Sequence, residues 1–291
     1  MTVTVRSFGT FVAVAAECVL SACAGTGGVS PESKGATDLG GSVVVRIEQY
    51  REDEVAGMMQ VGISNNGPQP LLIEAVDLAW PGFAQVATAA PDYRLPAGAA
   101  VDLPMPVAPV ECAAPYTSDP RPSAAPAEVT LRLDGGSTVR AVVADTSALK
   151  RIYETECQRQ YLASQVDIAF GLDWTLAGDA AETRALGTLV LRRVEAPGVV
   201  AVTGVDGSVL LALTVTGAGP VVLAADRSEV VHPVEVRSTL RCDGHALGES
   251  KQTFAFDVMV DLGDGQPLPY PVTPDEAGRV RLQQVIDAAC G

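Results

Sequence analysis

The chain has 291 residues, 47% hydrophobic and 19% charged, which is enough apolar material for packed cores and too little charge for a disordered polymer. Lys and Arg number 20 against 35 Asp and Glu, and the resulting −15 argues against a nucleic-acid grip, which needs a basic footprint. With only two histidines, His232 and His245, little material is left for a multi-histidine metal site or a histidine-based catalytic machine.

Residues 1–22 read as an export signal. Arg6 precedes an apolar stretch over 8–16, and small residues follow at Ser21 and Ala22. The apolar run is shorter than the ~20 residues that a membrane-spanning helix needs. Leu20-Ser21-Ala22-Cys23 resembles the lipobox of bacterial lipoproteins. That resemblance implies a diacylglyceryl group on the Cys23 thiol and cleavage just before it. It also implies a lipid-anchored protein on the extracytoplasmic face of the cell membrane. Cleavage after Ala24 in plain secretion, and a cytosolic start, stand as alternatives. Residues 23–41 are small, polar and aperiodic, a flexible tether whose last 18 residues span about 20–25 Å root-mean-square.

Residues 42–161 form the first predicted domain. Val43, Val45 and Ile47 alternate, Met59, Val61 and Ile63 follow, and Asn65-Asn66-Gly67-Pro68 makes a turn. Leu72, Val76 and Leu78 mark another strand. The run from Val61 to Gly67 resembles the early strands of bacterial immunoglobulin-like modules. At Trp80-Pro81-Gly82-Phe83, Trp80 and Phe83 form an aromatic pair in a Pro/Gly turn. They are either an exposed anchor for a partner or a strand end folded over the core. Val101, Leu103, Met105 and Val107 lead to Cys112. Val129, Leu131 and Leu133 alternate before Asp134-Gly135-Gly136. A helix then opens near Asp145-Thr146-Ser147, with Leu149, Ile152, Tyr153 and Cys157 on one face. Ser147-x-x-Lys150 has the spacing of penicillin-binding enzymes, but the Ser-Asp-Asn and Lys-Thr-Gly elements are missing, and helix capping explains Ser147.

Residues 162–291 form the second. Val166, Ile168 and Phe170 alternate, and Leu189, Leu191 and Val194 make a further strand. Residues 199–203 and 209–215, around Val205-Asp206-Gly207, read as a hairpin. Val230, Val234 and Val236 lead to Cys242. Cys242-Asp243-Gly244-His245-x-x-x-Glu249 is the densest polar cluster, where His245 and Glu249 are candidate metal ligands or an acid–base pair set against an ordinary solvated loop. Phe254, Phe256, Val258, Val260 and Leu262 alternate before Gly263-Asp264-Gly265. Asp206, Asp261 and Asp264 sit at turns, where Asp makes local hydrogen bonds or weakly binds calcium. A last helix begins at Thr273-Pro274-Asp275-Glu276 and places Leu282, Val285, Ile286 and Cys290 on one face.

The order strand, Cys, strand, Gly turn, strand, helix, Cys thus occurs twice, with identical spacing before Cys157 and Cys290. This reads as an internal duplication, and it predicts the disulfides Cys112–Cys157 and Cys242–Cys290. Each would close a loop of roughly 46 to 49 residues, worth about 4 kcal/mol in the chain-entropy model. A zinc site made of Cys112, Cys157, Cys242 and Cys290 would need Cys-x2–4-Cys pairs, and none occurs among those four.

The fold expected is mainly β: two tandem immunoglobulin-like β-sandwiches, each ending in a disulfide-linked helix. Arginine outnumbers lysine 17 to 3, a bias of GC-rich bacterial genomes. The whole chain is similar to an uncharacterised class of secreted lipoproteins from such bacteria. The function expected is a non-enzymatic interaction or scaffolding role, held to the membrane by the lipid, with no cofactor, no resident metal and no nucleic acid. The alternative is an extracytoplasmic small-molecule or metal-ion binding protein that uses a cleft between the halves and His245.

Overall fold

The computed structural model describes residues 42–113, 117, 120–122, 124–179, 182–250 and 252–291. The signal, the lipobox with Cys23 and the tether lie outside them. In chain order the elements are β1 (Val43–Glu48), α1 (Arg51–Ala56), β2 (Met58–Asn65), β3 (Leu71–Ala79), β4 (Ala87–Ala89), β5 (Tyr93–Leu95), β6 (Ala100–Pro106), β7 (Ala127–Leu133), β8 (Thr138–Val143) and α2 (Ser147–Gln165). Then follow β9 (Val166–Phe170), β10 (Thr175–Ala177), β11 (Arg184–Arg193), β12 (Val200–Asp206), β13 (Leu211–Val215), β14 (Val221–Leu223), β15 (Glu229–Ser238), α3 (Gly244–Glu249), β16 (Phe256–Asp261), β17 (Leu268–Val272) and α4 (Glu276–Cys290). The protein is mainly β, and all its named strand pairs are antiparallel.

Two hydrophobic cores follow from strict alternation along the strands. In the first, β1-β2-β6 turns Val43, Val45, Ile47, Met59, Val61, Ile63, Leu103 and Met105 inward. They meet Ile73, Val76, Leu78, Val129, Leu131 and Val139 from the sheet β4-β3-β7-β8. In the second, β9 and β10 both pair β11 in the sheet that continues to β15 and β13, and the facing sheet runs β14-β12-β16-β17. Period-2 burial on each strand is what one buried sheet face demands.

The two halves correspond in their strand pairing. β1, β2 and β6 correspond to β9, β11 and β15, while β3, β5, β7 and β8 correspond to β12, β14, β16 and β17. Both halves break register at the third residue of the same strand: at Ile73/Ala75 in β3 against β7, and at Val202/Gly204 in β12 against β16. The halves part company in one respect. β4 pairs with β3, whereas β13 crosses to the other sheet and pairs with β15. The hairpin expected over 199–215 is therefore not formed. The turn at Gly207 carries the chain between sheets, because both flanking strands have apolar faces to bury. A Cβ at Gly207 would collide with the Leu211 carbonyl.

Each half ends in its clamped helix. Cys112 is bonded to Cys157 with Cα atoms 5.6 Å apart, and Cys242 to Cys290 at 5.3 Å. Asp145 Oδ1 accepts from the Ser147 N–H at the start of α2, and Asp275 caps α4 by accepting from Gly278 N–H. Leu149, Ile152, Tyr153 and Cys157 bury in the first core, while Leu162, a turn further along α2, belongs to the second. Two of the outer strands, β6 and β17, carry Pro104 with Pro106 and Pro269 with Pro271, and each pairs with one neighbour only. Spacing of two puts both prolines of a pair on the unpaired side, where a missing N–H costs the sheet nothing.

Candidate functional site

Trp80 and Phe83 are not an exposed anchor. Trp80 is 4% exposed and Phe83 5%. The Trp80 ring packs edge-on against Phe83 at 5.3 Å and against Tyr153 of α2 at 6.0 Å. Ala84 N–H donates to Pro109 and Glu111 N–H to Gly82, so the turn is laced to the segment leading into Cys112. The pair fills space beneath a helix that the disulfide holds down. In the second half Trp174 does the same work from a different place in the chain, lying against Gly278 at the start of α4.

His245 stands exposed on α3, whose N-terminus is capped by Asp243 accepting from Ala246 N–H at 2.9 Å. The Glu249 side chain lies outside the described part. Among the described residues no group of three His, Cys, Asp or Glu comes together as a metal site. The turn carboxylates serve their own loops: Asp261 Oδ1 accepts from Gly263 and Gly265 N–H, and Asp264 Oδ1 from Gln266 N–H.

A groove of about 1120 Å³ lies where the two cores meet along α2. Arg151, Thr155 and Arg159 recur at four-residue spacing on the solvent face of α2, opposite the buried Leu149–Cys157 stripe, and line one wall. α1 adds Arg51, Glu54 and Val55 to the lining. This short helix is held by Asp53, which accepts from Tyr50 N–H and from the Gln60 carboxamide, and is stopped by Gly57 at φ 65. The opposite wall comes from the second half: Ser208 and Val209 of the turn after β12, Asp257 of β16, and Pro269 and Pro271 of β17. His245 does not line it.

Charge in the groove is arranged in two ways. Glu156 takes two bonds from Arg159, Nε at 2.8 Å and Nη2 at 2.7 Å, and these hold its pKa below the usual carboxylate value. Asp257 sits directly opposite Asp206 across the β12–β16 ladder. Loss of hydration, and then the Asp206 charge, raise its pKa. The cleft expected between the halves is present, but His245 was the residue expected in it; Arg51, Arg151 and Asp257 carry no local signal, because they are brought together only by the meeting of the two cores.

A second set of residues escaped the sequence altogether. Asn65, at the end of β2, is 1% exposed, and its Nδ2 donates to the carbonyls of Gln69 (2.8 Å), Pro96 (3.1 Å) and Leu95 (3.4 Å). Arg193 ends the corresponding strand β11, and its guanidinium donates to the carbonyls of Ala196, Gly198, Leu223 and Ala224. Leu95 and Leu223 each end the corresponding strands β5 and β14, and Gln69 and Gly198 each stand two residues before the next strand. One structural position is thus filled by an amide in one repeat and a guanidinium in the other.

No protein-family profile matches the chain, and no curated protein does. Among solved structures, red sea bream transglutaminase aligns at 10% identity and a TM-score of 0.23 over 81% of this chain. The chain spans 31% of that enzyme's length. The B domain of a biofilm-associated protein aligns at 8% identity and a TM-score of 0.20, covering 80% of this chain and 85% of the domain. A Ca²⁺-stabilised adhesin from an Antarctic bacterium aligns at 15% identity and 0.19, covering 79% of this chain and 48% of the adhesin.

Proposed function

We propose that the protein is a lipid-anchored, extracytoplasmic interaction protein of bacterial type, built from two tandem immunoglobulin-like sandwiches and doing no covalent chemistry of its own. The two disulfides carry this reading, since such bonds persist in oxidising compartments and are rare in the cytosol. The strand orders β1-β2-β6 against β3-β7-β8, and β9-β11-β15 against β12-β16-β17, support the immunoglobulin-like assignment. Cys23 is the anchor: its acyl chains hold the protein at the outer face of the cytoplasmic membrane, and the 23–41 tether lets the folded body turn there.

Fractionation of bacteria expressing the chain tests this. The wild-type protein partitions with membranes and resists thiol alkylation at Cys112, Cys157, Cys242 and Cys290, while Cys23→Ser releases the protein or blocks its maturation. Native product in the cytosol with four alkylatable thiols, or unchanged processing and retention of Cys23→Ser, overturns the reading.

A further inference from the structure

Six strands of five or more residues pair with one neighbour only among the described residues: β1, β6, β8, β9, β13 and β17. Proteins usually blunt such edges with proline or exposed charge. β6 and β17 carry their proline pairs, β1 carries Arg46 and Glu48, β8 carries Arg140 and β9 Asp167, and all four charged residues are exposed. The other edge strands, β4, β5, β10 and β14, have three residues each. β13 is Leu211-Ala212-Leu213-Thr214-Val215, long enough to pair and without either device.

Hydrogen bonding fixes which of its backbone groups face outward. Thr216 N–H donates to the Pro233 carbonyl, and Thr239 N–H to that of Leu210, so the even-numbered residues of this strand bond β15. The backbones of Leu211, Leu213 and Val215 therefore point away from the sheet. Ser208 takes up both groups of Leu211: its N–H donates to the Leu211 carbonyl, and its Oγ accepts from the Leu211 N–H. Leu213 and Val215 remain, each with one N–H and one C=O directed outward. Antiparallel pairing of β13 with a second copy, Thr214 on the two-fold axis, matches these groups without remainder. Leu213 then exchanges both bonds with Val215 of the partner subunit, and Val215 does so with the partner's Leu213. Thr214 faces its own copy, a favourable cross-strand pair, and Ala212 lies opposite the partner's Thr216.

A net charge of −15 works against contact between two copies over most of the surface. Here the exposed side chains are Ala212, Thr214 and Thr216, and self-pairing sets no like charges against each other. A longer strand from another protein would find the ladder stopped at Leu211 by Ser208, whereas a second copy needs only the short stretch that is free. We propose that the protein forms a two-fold dimer through β13, joining the β10-β11-β15-β13 sheets of two copies into one. The pairing is independent of any lipid on Cys23.

Sedimentation across a dilution series tests it, with the oxidised full chain carrying Cys18→Ser and Cys23→Ser so that no other free thiol is present. The chain passes from dimer to monomer on dilution. Val215→Pro removes no hydrogen bond within the chain but two of the four between copies, and raises the dissociation constant about tenfold. Thr214→Cys on the same background oxidises to a covalent dimer, because directly opposed residues at such a position lie within disulfide reach. Ala212→Cys does not, since the two copies of that residue stand about 14 Å apart at 3.4 Å per residue. A chain that is monomeric throughout overturns the proposal, whether amide exchange then finds Leu213 and Val215 unprotected or protected by an added segment such as 23–41. So does a dimer indifferent to Val215→Pro, or cross-linking that fails at Thr214→Cys or is equal at Ala212→Cys.

Discussion

At the scale of single residues, Asn65 and Arg193 show how one task is met by unlike chemistries. Each closes the gap between two strand ends by satisfying carbonyls that neither sheet can reach. Asn65→Ala leaves those carbonyls buried without a donor, and the expected loss is about 2–3 kcal/mol in urea unfolding. Nothing in the sequence marks these positions, since Asn65 reads as an ordinary turn residue and Arg193 as one of two strand-end arginines. Their role exists only once β5 and β14 are in place. Asp257 gives the opposite case, a residue that costs stability. Its folded pKa is raised, so the folded state holds the proton more tightly than the unfolded chain. Stability on this account is highest at low pH and declines as pH rises from the ordinary carboxylate value through the raised one. Asp257→Asn removes the decline. We expect thermal unfolding to show the variant about 0.2–1 kcal/mol more stable than wild type at neutral pH, the range for like charges directly opposed on a sheet, with the difference gone at pH 3.

At the scale of elements, the helices and their cysteines were the most legible parts. Leu149, Ile152, Tyr153 and Cys157 repeat at the spacing of Leu282, Val285, Ile286 and Cys290, and both sets face a core. The strands were legible through alternation, but which sheet a strand joins was not. Residues 209–215 read as the partner of 199–203, yet β13 went to β15, because alternation records that a face is buried and not against what. Trp80 and Phe83 posed the same problem. An aromatic pair beside Pro81 and Gly82 looks alike whether it points out or folds under Tyr153. The helix clamps yield a prediction. Cys112→Ala with Cys157→Ala, and separately Cys242→Ala with Cys290→Ala, should each cost up to about 4 kcal/mol of unfolding free energy, less any relief of strain. Retention of wild-type stability by either pair would mean that helix packing alone seats α2 or α4.

At the scale of the whole molecule, α2 is shared property. Its first turns fill one core, and Leu162 fills the other with no exposure at all. Gln165, its last residue, accepts from the Val194, Glu195 and Ala196 N–H groups of the second half. Leu162→Ala should therefore cost about 2–5 kcal/mol, as for other buried leucines. Calorimetry should find the loss in the melting of the second core, although the residue belongs to the helix clamped to the first. If only the first core's melting shifts, this account of α2 is wrong. The groove depends on the same sharing, for its walls come from chain segments that stand from about 50 to more than 200 residues apart, and no local pattern announces such a meeting.

The paired prolines at the outer margins of β6 and β17 have a consequence for crowded surroundings. A stray segment seeking to extend either sheet meets a border without the amide it needs to dock. At these two margins that common route into fibrils is closed, and any recognition through them has to come from side chains rather than from borrowed backbone.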